Sequence, residues 1–159
     1  MNEGTASNSC SRTSVTGDRE AGGLVGDNTG TVANCYATGS VTGSERVGGL
    51  VGFVSGGAIS NSYAAVSVNG DDRAGGLTGG LAEASRDNVT DSFWDTETSG
   101  MPRSHGGIGK STAEMMDIAT FRAAGWSIIA VAPGEKNPAY TWNIVDEQTY
   151  PFLSWQPTT

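Results

Sequence analysis

The sequence predicts an all-β fold, a solenoid of stacked coils ending in a small mixed α/β segment, and three observations predict it. A glycine-rich pentapeptide recurs: GGLVG at 22–26 returns at 48–52 and, as GGLTG, at 75–79, a repeat of 26 and then 27 residues. The stretches behind it align as well, VANCYATGSV (32–41) with ISNSYAAVSV (59–68) and VTDSFWDTET (89–98). Glycine makes up 24 of the 159 residues against only 5 prolines, about twice the usual ~7%, which suits neither a helical pair nor a Pro/Gly-rich linker.

Each unit is too short and too glycine-rich for two helices, and its Val, Thr and Tyr fit a pleated surface. One unit therefore reads as one turn of a β-solenoid, with successive turns stacked ~4.8 Å apart by parallel pairing. About three to four coils are expected, near 1–17, 18–44, 45–71 and 72–100. The segment 7–18 aligns with 33–44, so the chain opens inside a repeat and is expected to be a piece of a longer one.

Stacking turns the repeats into columns. Leu24, Leu50 and Leu77 form one inward ladder, and Val32, Ile59 and Val89 a second. Tyr36, Tyr63 and Phe93 form an aromatic ladder, with Cys10 at its open end, and are expected in the same core. Asn8, Asn34, Asn61 and Asp91 form a polar column suited to corner backbone groups, while glycines are expected to supply the positive-φ corners. Cys10 and Cys35 fall in neighbouring columns that point oppositely, so no disulfide is expected. Arg19, Arg46 and Arg73 are expected to stack, beside a column of Asp18, Glu45 and Asp72. That stripe either binds an anion or acidic glycan or neutralises itself at a solvated corner.

The residue pattern 22–43, GGLVGDNTGTVANCYATGSVTG, resembles the GLUG motif, a repeat named for its Gly-Leu-x-Gly core. The resemblance covers residues 1 to about 100 and implies a right-handed β-solenoid. It also implies a place in bacterial extracellular proteins, among adhesin-like surface proteins and the non-catalytic stalk of some immunoglobulin A peptidases. It implies no enzymatic activity. The third unit departs from the pattern at 79–91, where the usual Asn-x-Gly turn is missing, as suits a terminal coil.

Beyond Gly100 the periodicity changes, and residues 101–159 are expected to form a capping segment. Ser111-Thr-Ala-Glu114 is a capping box; Met115, Ile118 and Ala119 follow at helical spacing, and a second turn over 120–124 ends at Gly125. TWNIV (141–145) and YPFLSW (150–155) read as short strands.

Composition narrows the function. The net charge of -8, with 17 acids against 9 bases, and the lack of a basic run argue against nucleic acid and anionic membrane surfaces. No apolar run approaches the ~18 residues of a membrane span, and the first residues lack the pattern of a signal peptide. Asp95 and Glu97, two apart in one expected strand, would lie ~7 Å apart, within the separation an inverting glycosidase uses. The competing reading makes them capping carboxylates beside Trp94. The stretch 104–112 resembles a phosphate loop but has Ser104 where glycine is needed, and His105 lacks a nucleophile elbow. Calcium is the one cofactor weighed, with Asp18, Asp71, Asp72, Asp27 and Asn28 as oxygen donors in turns.

The expectation from the sequence is thus a non-enzymatic extracellular or cell-surface module, an adhesive or spacer solenoid with glycans or a host surface as partners. A polysaccharide-active enzyme using Asp95 and Glu97 is the alternative. Binding to a crystalline surface such as ice, through Thr16, Thr42 and Asn69, is the third.

Overall fold

The computed structural model describes residues 1–157. It divides into two compact units, Met1–Lys110 and the segment from Ser111 onward. The first unit holds twelve strands in chain order: β1 Thr5–Ser7, β2 Cys10–Thr16, β3 Val25–Asn28, β4 Thr31–Ala33, β5 Tyr36–Gly48, β6 Val51–Val54, β7 Ala58–Ser60, β8 Tyr63–Gly75, β9 Thr78–Leu81, β10 Val89–Thr90, β11 Phe93–Asp95 and β12 Ile108–Lys110. They form three parallel sheets, β1-β4-β7-β10, β2-β5-β8-β11-β12 and β3-β6-β9. The three full coils each contribute one strand to each sheet, β10, β11 and β12 extend two of the sheets, and the whole is a β-solenoid of about three turns.

The register is the repeat length made visible. Cys10 pairs with Tyr36, 26 residues on, and Tyr36 with Tyr63, 27 residues on. The next interval grows to 30, Tyr63 pairing with Phe93, because a 3-10 turn over Glu83–Ser85 is inserted where the Asn-x-Gly turn is missing. Leu24 N donates to the Leu50 carbonyl and Leu50 N to that of Leu77, at 3.0 and 2.9 Å. Val32 pairs with Ile59, and Ile59 with Val89. Leu50, Leu77, Val32 and Ile59 are fully buried, while Leu24 on the first coil and Val89 on the last are partly covered.

Gly39, Gly100 and Gly107 take positive φ, at +110, +67 and +86°, but the recurring corners do not use glycine. Those corners carry side chains: Asn8, Asn34, Asn61 and Asp91 at +49, +53, +47 and +48°, and Glu20, Arg46 and Arg73 at +52, +54 and +51°. Asn and Asp tolerate the left-handed region better than other L-residues, which accounts for the polar column. The paired glycines of each GGL motif have ordinary φ and are there for closeness. A Cβ on Gly22 would overlap the Val25 carbonyl, one on Gly49 the Gly76 carbonyl, and one on Gly76 the indole of Trp94.

Beside each Asn/Asp corner runs a polar zipper. The Ser62 hydroxyl donates to its own corner at Ser60 O (2.8 Å) and accepts from Cys35 N of the preceding coil (3.1 Å). Ser92 repeats this with Thr90 O (2.8 Å) and Ser62 N (3.2 Å). Cys35 fills the equivalent place, its Sγ donating to Ala33 O (3.2 Å) and taking a bond from the Ser9 backbone, while burial raises the pKa of the thiol. No disulfide joins Cys10 and Cys35.

The core lies between the three sheets and includes Val25, Val32, Cys35, Ala37, Val41, Val47, Leu50, Ile59, Ala64, Val66, Val68 and Leu77, with Trp94 on the last coil. Trp94 follows Ala37 and Ala64 in one inner column, so a large ring succeeds two methyl groups, and its Nε1 donates to Met101 O (2.9 Å). The aromatic ladder forms and is buried, but it packs separately from this cluster. Tyr36, Tyr63 and Phe93 stack in register, the tyrosine rings 5.0 Å apart and 3° from parallel. They stand outside the cluster because side chains alternate along a strand and Ala37 and Ala64 take the inner places.

Solenoid pairing continues to Lys110, since β12 pairs with β11. Before it, Gly76 N donates to Arg103 O (3.0 Å), and the Ser104 hydroxyl accepts from Leu77 N (3.2 Å) and Thr78 N (2.9 Å), standing in for the next coil.

The second unit has its own elements: α2 Thr112–Met115, α3 Ile118–Ala123, β13 Ile128–Ala130, β14 Trp142–Ile144 and β15 Phe152–Leu153, counting the turn Thr96–Ser99 of the first unit as α1. The Ser111–Glu114 capping box is complete. The helical spacing through Met115 and Ile118 resolves into two helices instead of one, because Asp117 caps a fresh start, accepting from Ala119 N (2.8 Å). Gly125 follows α3 with φ +76°. β13 pairs parallel and β15 antiparallel with β14; the sequence reading missed β13. Phe121, Trp126 and Trp142 pack with ring centres 4.8 and 4.9 Å apart.

Candidate functional site

The long strands β5 and β8, 13 residues each, give the solenoid its most extended sheet. Its outward columns follow from the register. Ser14, Ser40 and Ser67 form one column, Thr16, Thr42 and Asn69 the next, and apart from half-buried Ser40 all six are exposed. Inward neighbours Val41, Val66 and Val68 fix the backbone beneath them. The Ser40 hydroxyl donates to Ser14 Oγ at 3.0 Å, a hydroxyl bond between the first two coils of the column. At one side Arg12 donates to the Tyr36 hydroxyl (2.8 Å), which ties a cation to the aromatic ladder. The face thus offers hydroxyl, amide and guanidinium groups at the coil spacing, ~4.8 Å.

The charged corner is arranged otherwise than the sequence suggested. Arg19 pairs with Glu45, and Glu45 with Asp72, so Arg19, Arg46 and Arg73 do not share one column. The first interval is 26 residues, not 27, and it shifts Arg19 against Glu45 and Glu20 against Arg46. Opposite charges consequently meet across coils: Arg19 to Glu45 at 2.9 Å and Arg46 to Glu20 at 2.7 Å. Arg46 also lies over the Phe53 ring, 4.1 Å from its centre. The Arg19 bond, helped by the arginine charges nearby, holds the Glu45 carboxyl below its ordinary pKa. Arg73 is exposed and makes no ion pair among the described residues.

Asp95 and Glu97 do not share a strand. Asp95 ends β11, is fully buried, and caps α1 by accepting from Glu97 N (2.9 Å), Thr98 N (2.9 Å) and the Thr98 hydroxyl (3.0 Å). Glu97 lies on that helical turn. Asp95 is engaged by backbone donors at a helix start, the capping role weighed against catalysis in the sequence. Among the described residues no three His, Cys, Asp or Glu side chains gather into a metal-binding group. Asp18 borders β5 from the coil before it, its carbonyl accepting from Ser44 N (3.0 Å), and Asp71 and Asp72 lie on β8 in the coil after it, while Asn28 turns inward to Gly30 O (3.1 Å) and Ala58 O (3.2 Å). His105 sits in the turn whose backbone bonds Thr78 O (3.4 Å).

Missed in the sequence were the Ser62–Ser92 zipper and the ion pairs between the first two coils of the corner. The zipper had a signal: Asn-Ser, Asn-Cys, Asn-Ser and Asp-Ser at 8–9, 34–35, 61–62 and 91–92.

Parallel sheets built from one strand per repeat, with in-register polar and apolar columns, define this unit as a β-solenoid repeat protein. The sequence model of the GLUG motif matches residues 17–42 and 43–69, so the solenoid carries two tandem copies of that motif. No curated protein and no solved structure matches it. No helix among the described residues is long and apolar enough to cross a membrane.

Proposed function

We propose that this chain is a non-enzymatic, surface-exposed solenoid segment of an extracellular protein, and that the outer face of β2, β5 and β8 holds an extended glycan weakly at many points. The observation that carries this reading is the in-register exposure of Thr16, Thr42 and Asn69 beside the serine column. A ligand with a repeating hydroxylated surface meets the same donors and acceptors on each coil, and many weak contacts sum without a deep pocket. Asp95 supports a non-enzymatic role, since its carboxylate is committed to α1.

The test is a panel of soluble and insoluble polysaccharides incubated with the protein, scored for retention and for released oligosaccharide. Retention without release is the expected result. Release that vanishes in Asp95→Asn would make the protein a polysaccharide-cleaving enzyme, and neither retention nor release would leave a spacer.

A further inference from the structure

The second unit exposes two aromatic side chains. Trp155 is 56% and Tyr140 38% exposed, whereas Trp126 and Trp142 in the same unit are 5% and 0% exposed. Their places are set by the β14–β15 ladder. Trp142 pairs with Leu153, and Ser154 N donates to Thr141 O (3.1 Å), so Tyr140 and Trp155 stand one residue further along, at the same end of the hairpin pair. A second contact joins the two turns directly, because Lys136 Nζ donates to Gln156 O at 3.3 Å.

Both turns are held from beneath. Asn143, fully buried, accepts from Asn137 N and donates to Asn137 O (3.0 Å), fixing the turn that leads to Tyr140. Gln156, 5% exposed, accepts from Leu153 N (2.8 Å) through its side chain and closes a turn with its own N–H to Leu153 O (3.0 Å). Two buried amides are thus used to present two exposed rings, and such anchoring lowers the ordering cost of binding.

We propose that Tyr140 and Trp155 form a stacking platform for an oligosaccharide of hexoses whose ring hydroxyls are all equatorial. Such sugars turn axial C–H bonds to both faces of the ring, flat apolar surfaces that fit an aromatic face, while their rims keep hydroxyls for Lys136 and the exposed turn backbone. A fully apolar partner would gain nothing from this polar fringe, and an anionic one would meet a single lysine. This platform belongs to the second unit and does not depend on the ladder reading.

Titration calorimetry of the full chain with cellohexaose tests it. Saturable heat is expected, lost in Trp155→Ala and weakened about tenfold in Tyr140→Ala, an amount equal to ~1.4 kcal/mol and within the range of one aromatic contact. Mannohexaose, with its axial hydroxyl, should bind more weakly. Melting curves of both variants check that each still folds. No heat with cellohexaose would overturn the platform. So would binding that survives Trp155→Ala, and if that binding is lost in Thr42→Tyr, the solenoid reading alone would stand.

Discussion

Asn34 shows how closely one residue can be tied to one coil. It takes φ +53° at a corner and passes its N–H to Ser60 O at 3.1 Å. An alanine there pays the left-handed cost of roughly 1–2 kcal/mol, while glycine adopts the conformation freely. Urea unfolding should therefore show Asn34→Ala destabilised by about that amount and Asn34→Gly by clearly less. Equal losses would mean that the Asn side chain, and not its backbone angle, holds the corner. The columns of Leu24, Val32 and Tyr36 were legible in the sequence because like residues recur at the repeat spacing. Backbone angles are not written that way: Glu20, Arg46 and Arg73 share the left-handed region with no composition to announce it.

At the scale of elements, the glycine pairs set how near successive coils can come. A methyl group on Gly49 would run into the Gly76 carbonyl and the Ala64 side chain, whereas one on Gly4 meets nothing. Gly49→Ala should cost about 3 kcal/mol, the upper end of overpacking penalties, and Gly4→Ala should be near neutral by the same denaturation assay. The charged corner carries a pH signature. Glu45 is held below its ordinary pKa in the folded chain. Its contribution is complete above the unfolded value, ~4.3, and is lost as pH falls through the lower folded value. Thermal melting in low salt should thus fall through that acidic window, and Glu45→Gln should flatten part of the fall; an unchanged acid limb would assign it to other carboxylates. The sequence misplaced this corner because a one-residue difference between repeats, 26 against 27, is enough to set Arg19 against Glu45 in place of Arg46. It misplaced Glu97 for a related reason. The β-rich pattern around Phe93 runs straight into Asp95, and only the cap bonds show that the strand stops there.

At the scale of the molecule, repetition itself is the functional argument. A solenoid cannot gather distant side chains into a deep pocket as readily as a fold with crossing loops, but it sets the same group at the same interval on every coil. In this chain the longest sheet carries that regularity outward. Fold class and repeat register were readable from recurring pentapeptides, because stacking demands like residues at like positions. The outward face became definite only once Ala37 and Val41 were seen in the core and Thr42 at the surface.

The most direct test places bulk in the middle of that face. Thr42 is exposed between Thr16 and Asn69 in register, so Thr42→Tyr keeps a good strand former and should leave the melting curve unchanged. Retention on whichever polysaccharide holds the wild-type chain should then be lost in Thr42→Tyr. Retention at the wild-type level, with the fold intact, would contradict binding through this sheet.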